Sequence, residues 1–226
     1  MGPQRKYGRA LALVVAVVAV WLVARGGHTP AHPGTGATPQ SPTPTADRSA
    51  APSPSASNSK WSDSYDPAHF ATQVRTRAGQ AGIDPRLLMA ILYNEDYKPH
   101  DPQLERAWQR LKPDSAFGIA NMHRAAFDET KQGHDFATRN WDELPDDPDL
   151  AIEAAAWYLH DLADQLPAHR SAPFNEDELL ALGYNTGAGN MLAFARGVTP
   201  GSAARSYLDR LHENLTKADA ALSATG

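Results

Sequence analysis

Apolar side chains recur at helical spacing along most of the chain after residue 66. The clearest stretch is residues 149–166, and Pro167 follows it directly and ends it. Its apolar and aromatic positions share one helical face: Leu150, Ala154, Trp157, Tyr158, Leu162 and Leu166. No run of five residues alternates between β-branched and polar side chains, so at most a short hairpin is expected. The pattern predicts a mostly α domain.

Several helix starts are marked by a capping residue. Asp66 and Asp84 each precede a proline, which predicts helices over residues 67–81 and 85–94. Asn175 and Glu178 have the spacing of a capping box at the head of another helix. Shorter helices are predicted over residues 104–111 and 124–130, and a final one over residues 202–222.

The N-terminal segment has a different pattern. Three basic residues among the first nine precede residues 10–24, which carry no charge. As a helix this run spans about 22 Å, less than the roughly 30 Å core of a bilayer, which is typical of a signal peptide. Arg25 occupies the position where cleavage requires a small residue, and Trp21 can anchor a helix at the interface. These two features favour an uncleaved signal anchor with an extracytoplasmic domain; a cleaved leader and a secreted protein remain the alternative.

Composition divides the chain into three parts. Residues 1–25 form the anchor or leader, residues 26–60 are rich in Pro, Ser and Thr and predict a disordered linker, and residues 61–226 form the domain. The domain carries 15 basic and 25 acidic side chains, a formal charge of −10, which argues against nucleic acid as a partner. The absence of cysteine excludes disulfides and thiol catalysis.

The candidate chemistry begins with Glu95, which comes just after the apolar segment of residues 83–92. A carboxyl group at the end of such a helix is a candidate proton donor, because partial desolvation lets it keep its proton near neutral pH. Two segments punctuated by glycine follow, Gly118-Ile119-Ala120-Asn121 and Gly183-Tyr184-Asn185-Thr186-Gly187.

These segments and their order resemble the soluble lytic transglycosylase (SLT, lysozyme-like) family over residues 70–211. Family members read Asp-Pro, Glu-Ser, Gly-Leu-Met-Gln, Tyr-Leu and Ala-Tyr-Asn-Ala-Gly. The chain has the following counterparts: Asp84-Pro85, Glu95-Asp96, Gly118 to Asn121, Tyr158-Leu159 and Gly183 to Gly187. It departs from the family at three positions, where Asp96 replaces serine, Ala120 replaces methionine and Asn121 replaces glutamine.

The resemblance implies a lysozyme-like helical domain that cleaves the MurNAc–GlcNAc β-1,4 bond of peptidoglycan. Glu95 is then the only catalytic side chain, first as acid and then as base, and the product carries a 1,6-anhydro ring. Neither metal nor cofactor is needed, the partner is a glycan strand, and a monomer is expected. The resemblance places the following residues around the acid or the sugar: Asp96, Gly118, Asn121, Tyr184 and Asn185. Tyr184 is expected to orient the acid, and Gly118 to let the backbone approach the sugar closely.

Two other functions remain open at this stage. A second carboxylate, from Asp96, Asp101 or Asp114, would permit hydrolysis like that of goose-type lysozymes. Because three groove positions depart from the family, the domain could instead be a catalytically inactive module that binds peptidoglycan. The nine histidines show no close metal-binding pattern, so no metal site is expected. Trp108, Trp141 and Trp157 could stack on sugar faces, but large aromatic side chains of a small helical domain are expected in the core.

Overall fold

The computed structural model describes residues 65–170 and 173–224. These residues form eight α-helices, and an isolated antiparallel bridge joins Phe117 and Met122. The helices are α1 (Ala71–Ala81), α2 (Pro85–Glu95), α3 (Pro102–Leu111), α4 (Arg124–Thr130), α5 (Pro148–Gln165), α6 (Glu176–Thr186), α7 (Ala188–Ala195) and α8 (Ser202–Ser223). Short 3-10 helices cover Pro67–Phe70 and Trp141–Glu143. The prediction of a mostly α domain is confirmed.

Asp-Pro pairs begin four of the helical segments. In each pair the aspartate side chain accepts a hydrogen bond from a backbone N–H of the first turn. The proline follows at the first helical position, where a backbone N–H would have no partner within the helix. The four capping residues are Asp66, Asp84, Asp101 and Asp147. The predicted capping box is also present, since Asn175 and Glu178 exchange hydrogen bonds of 2.8 and 2.9 Å at the start of α6.

Helix α7 is the element that the sequence pattern did not predict. No helix is predicted between the Tyr184-Asn185 segment and residue 202. Instead Gly187 has a φ of 85°, which ends α6 and lets α7 begin at the next residue. Gly183 in α6 allows the two helices to approach closely, because an added Cβ would lie 2.8 Å from the Met191 sulfur.

Helix α2 is the centre of the core. Every residue from Leu87 to Leu92 is buried, because α1, α6 and α8 pack around this helix. Its last buried positions are polar, Asn94 and Glu95. The fold therefore carries a carboxyl group into the interior at the C-terminal end of its central helix.

The three tryptophans of the described region differ in burial. Trp141 is in the core and stacks on Phe117 at 4.1 Å between ring centroids, as expected. Trp157 is partly buried against the core. Trp108 is 51% exposed on α3, where Leu104 and Leu111 are exposed as well, so the expectation of a core position is wrong for this residue.

The N-terminal predictions lie outside the described residues. The proposed membrane segment, residues 10–24, and the proposed linker, residues 26–60, both precede Tyr65, where the description begins. In residues 65–170 and 173–224, no helix is both long and apolar enough to cross a bilayer.

Candidate active site

Glu95 is a buried carboxyl group in the last turn of α2, with 7% of its surface exposed. Asp84 caps the start of the helix and Pro85 is its first residue. The apolar residues that follow are buried and hold the helix in the core. The C-terminal end of α2 is the negative end of the helix dipole, which disfavours the negative charge of an ionised carboxylate there. Both burial and the helix end therefore act against ionisation of Glu95.

Two side chains donate hydrogen bonds to the Glu95 carboxyl group. The Tyr207 hydroxyl, on α8, donates to Oε1 at 2.9 Å. The Asn121 Nδ2 donates to Oε2 at 2.9 Å. Each oxygen thus has one donor, and the plane of the carboxyl group is fixed between α8 and the segment that contains Asn121.

Burial raises the pKa of the Glu95 carboxyl. The hydrogen bonds from Asn121 and Tyr207 lower it, as do the nearby Arg210 and His100 side chains, but burial is the largest effect and the pKa stays above its usual value. Such a group retains its proton at a pH where an ordinary surface glutamate has lost it, which is the property that a general acid requires.

Asn121 is held at the end of a tight turn. Its backbone N–H donates to the Gly118 carbonyl oxygen at 2.8 Å, and the bridge between Phe117 and Met122 closes the turn on both sides. Asn121 has a φ of 48°, in the left-handed region that asparagine tolerates better than most residues. The same Nδ2 that contacts Glu95 also donates to the Tyr97 hydroxyl at 2.7 Å. Asn121 therefore joins the buried acid to Tyr97, which is 71% exposed.

Gly118 packs closely against the protein interior, and its approach to a sugar stays a prediction. It is buried with a φ of 71°, and an added Cβ would lie 2.8 Å from the Leu144 carbonyl oxygen and 3.2 Å from the Ala151 Cβ. The close approach that this glycine permits in the structure is to the protein interior. Its role is to let the turn pack against α5 and the residues before it.

Tyr184 and Asn185 occupy the last turn of α6. The Tyr184 hydroxyl donates to the Ala120 carbonyl oxygen at 2.7 Å and makes no hydrogen bond to Glu95. The tyrosine that hydrogen-bonds the acid directly is Tyr207. Burial and the charge of Glu95 raise the pKa of Tyr184 well above its usual value, and its orienting role stays a prediction. Asn185 is exposed.

Tyr207 was missed because the local sequence gives no sign of its role. It lies on the apolar face of α8 with Ala204, Leu208 and Leu211, a pattern that indicates only a core position. Its separation from Glu95 is 112 residues. Burial and the neighbouring Glu95 raise the pKa of Tyr207 well above its usual value, so its hydroxyl remains a donor.

The other carboxyl groups considered for the site make no hydrogen bond to Glu95. Asp96 is exposed, 4.0 Å from His100 Nε2, and partial burial raises its pKa while His100 and Lys217 oppose the rise. Asp101 caps α3 by accepting two backbone N–H groups at 2.9 Å. Asp114 is exposed. The part of the chain that the structure covers also contains no group of three His, Cys, Asp or Glu side chains arranged to hold a metal ion.

Comparison with protein families gives a match to the model of the Transglycosylase SLT domain over residues 73–199. The matched span contains Glu95, the turn that ends at Asn121, and all of α6. It stops before Tyr207, on α8. Comparison with curated proteins finds no match. Since the matched span covers more than half of the 226 residues and includes the buried acid with one of its two donors, the chain belongs to the transglycosylase SLT domain family.

Proposed function

We propose that the domain is a lytic transglycosylase that cleaves the MurNAc–GlcNAc β-1,4 bond of peptidoglycan, with Glu95 as its only catalytic side chain. The observation that carries the proposal is the state of this carboxyl group, which is buried, has a raised pKa and is held by one donor on each oxygen. Membership of the SLT family supports peptidoglycan as the substrate.

In the first step the protonated Glu95 donates its proton to the glycosidic oxygen. The bond between that oxygen and C1 of the muramic acid then breaks, and positive charge develops on the sugar. The carboxylate left behind is stabilised by the hydrogen bonds from Asn121 and Tyr207, since both donors favour the charged form.

In the second step the Glu95 carboxylate accepts the proton of the muramic acid 6-hydroxyl. The oxygen of that hydroxyl forms a bond to C1 and closes the 1,6-anhydro ring. Glu95 is protonated again at the end of the cycle, and no water is consumed. The substrate supplies the nucleophile, so the reaction does not require a second carboxylate.

The hydrogen bonds around the acid are consistent with a reaction that uses one carboxyl group. Among the described residues, no second carboxylate hydrogen-bonds Glu95, Asn121 or Tyr207. Glu105 is the other buried carboxyl group near this part of the fold, but both of its oxygens are occupied by protein donors.

Access to the acid is proposed to be from the side of Tyr97 and Asn121, which are its exposed or half-buried neighbours. The ring of Tyr97 can stack on a sugar face. The exposed amide of Asn185 offers both a donor and an acceptor, which suits an N-acetyl group. We also propose, from the sequence alone, that residues 1–25 anchor the protein and that the domain acts outside the cytoplasm.

The test is digestion of purified peptidoglycan sacculi by the wild-type protein and by Glu95→Gln. Glutamine keeps the shape of the side chain but cannot transfer a proton, so release of fragments should fall by about 100-fold or more. Glu213→Gln, an exposed position on α8, is the matched control and should behave as wild type.

Mass spectrometry of the released fragments separates the candidate reactions. Anhydro ends support the transglycosylase, whereas reducing ends that incorporate ¹⁸O from labelled water identify a hydrolase. Binding to sacculi with no fragments released by wild type would identify an inactive binding module. Activity of Glu95→Gln equal to wild type would eliminate Glu95 as the acid.

A further inference from the structure

A buried cluster of charged side chains that the proposed reaction does not use lies at the start of α3. Its centre is Glu105, a carboxyl group with 4% of its surface exposed, while most of α3 is open to solvent. Glu105 Oε1 contacts His100 Nδ1 at 3.1 Å and Lys98 Nζ at 3.3 Å. Burying an ionised carboxyl group is costly unless it is paired and hydrogen-bonded. Burial would raise the pKa of Glu105, but the His100 and Gly118 hydrogen bonds and the Lys98 charge together lower it.

The cluster holds the turn that carries Asn121. Glu105 Oε2 accepts the backbone N–H of Gly118 at 2.8 Å, a charge-assisted hydrogen bond in the interior. Lys98 Nζ also donates to the Ala116 carbonyl oxygen at 2.8 Å. The side chains of Lys98 and Glu105 therefore hold the backbone at the beginning of the turn, at Ala116 and at Gly118.

The other end of the same turn contacts the acid. Gly118 and Asn121 are joined by the hydrogen bond that closes the turn, and Asn121 Nδ2 donates to Glu95 Oε2. Because Gly118 and Asn121 both have positive φ, this turn is not a conformation that most sequences adopt unaided. It therefore depends on contacts such as the one with Glu105.

We propose that Glu105 is a positioning residue for the proposed reaction. By accepting the Gly118 N–H it holds the turn that aims the Asn121 amide at Glu95. The feature that matters is the oxygen that accepts the Gly118 N–H, and the negative charge of Glu105 balances the charge of Lys98. This inference rests on the proposed function only for its kinetic consequence, since the geometry of the turn does not depend on which reaction the domain catalyses.

The test compares two substitutions that both remove the charge. Glu105→Gln retains an acceptor for the Gly118 N–H, whereas Glu105→Ala does not. We expect kcat on soluble glycan fragments to stay within a few-fold of wild type for glutamine. For alanine we expect a loss of about 10- to 100-fold with little change in KM, because the substrate still binds but the acid is misplaced. Urea unfolding of both variants establishes that they are folded.

The same two substitutions are repeated with Asn121→Ala. If Glu105 acts through Asn121, Glu105→Ala and Glu105→Gln should have the same kcat in that background. The reason is that Asn121→Ala has already removed the hydrogen bond from Asn121 to Glu95. A residue with a merely structural role would give the same difference in both backgrounds. That result, or a glutamine variant as impaired as the alanine variant, would overturn the proposal.

A second readout is independent of catalysis. The pKa of Glu95, followed by NMR of ¹³C-labelled glutamate, should be higher in Glu105→Ala than in Glu105→Gln, because loss of the Asn121 hydrogen bond removes an effect that lowers it. In wild type the Gly118 amide should be shifted downfield and protected from exchange. An unprotected Gly118 amide would refute the contact even if a variant failed to fold. Wild type that releases nothing from peptidoglycan would refute the proposed function, and the NMR results would still decide the role of Glu105.

Discussion

At the scale of single residues, the burial of Glu95 gives the carboxyl group the raised pKa that the proposed acid needs, but it also makes the folded state less stable when the group is ionised. A carboxyl group with a raised pKa binds its proton more tightly in the folded than in the unfolded state. Between the unfolded and the folded pKa the folded protein holds more protons, so its stability falls as pH rises through that window. Above the folded pKa the full penalty of a buried charge is present, and below the unfolded pKa it is absent.

Glu95→Gln should therefore stabilise the domain at neutral pH while it abolishes activity. We expect a Tm a few degrees above that of wild type at pH 7, since about 1 kcal/mol shifts the Tm of a domain of this size by about 2–4 °C. The advantage should shrink as the pH is lowered and vanish below about pH 4, the ordinary range of a glutamate. Thermal unfolding of both proteins from pH 3 to 8 checks this, and a constant difference across that range would contradict it.

Tyr207→Phe removes the donor on Glu95 Oε1 and leaves the ring in place. We expect kcat to fall by about tenfold, because the acid loses one of its two orienting contacts. The Tyr207 hydrogen bond lowers the pKa of Glu95, so its removal should raise that pKa and move the alkaline limb of the pH–rate profile to higher pH. Rates measured from pH 4 to 9 test both effects. Tyr158→Phe is the control, since no hydrogen bond joins the Tyr158 hydroxyl to Glu95. An alkaline limb at the same pH in Tyr207→Phe as in wild type would contradict the role of Tyr207 as a donor to the acid.

At the scale of helices, the site depends on how α2 lies against α8. Beside the contact of Tyr207 with Glu95, two buried amides join the same helices. Asn94 Nδ2 donates to the Tyr207 carbonyl oxygen at 3.1 Å, and Asn214 Nδ2 donates to Asn94 Oδ1 at 2.7 Å. These hydrogen bonds set the relative position of two helices whose contact is otherwise apolar and less directional.

Asn214→Leu should break this arrangement. Leucine is close in size but leaves Asn94 Oδ1 buried without its donor, which should lower the free energy of unfolding by about 1–3 kcal/mol. Urea unfolding measures the loss. Asn190→Leu is the control, because Asn190 is exposed and its amide donates to the Thr186 carbonyl oxygen at the nearby end of α6, so its change should stay within about 0.5 kcal/mol. Equal losses in the two variants would show that the interhelical amides are not specifically stabilising.

The helices themselves were mostly predictable from sequence, because their signals are local. An Asp-Pro pair or a capping box specifies a helix start within a few residues, and α4 has the bounds that its pattern predicted. The site is less local. Tyr207 is brought to Glu95 by the packing of α8 on α2, and a sequence pattern records only that Tyr207 is on an apolar face. For Gly118 the sequence indicated a special backbone conformation but not whether the freed space faces a ligand or the interior.

At the scale of the whole molecule, the residues found to hold the acid lie in the domain. Within residues 65–170 and 173–224, Asn121 and Tyr207 donate to Glu95, and Asn94 and Asn214 join the helices that carry Glu95 and Tyr207. Residues 61–226 alone are therefore expected to turn over soluble glycan fragments with the kcat of the full chain. The residues before the domain are proposed to hold the protein at the membrane. An assay with a soluble substrate does not depend on that location.

The proposed anchor makes a prediction about the full chain in the producing cell. If residues 10–24 remain as a membrane segment, the protein should keep the mass of its complete sequence, sediment with membranes and be released by detergent but not by salt. The physical reason is that Arg25 follows the apolar run where cleavage requires a small side chain. Val23→Ala combined with Arg25→Ala supplies small residues there, and this double variant should be cleaved and appear in the medium with undiminished activity on soluble fragments. Wild-type protein found in the medium without its first 25 or so residues would show instead that the segment is a leader.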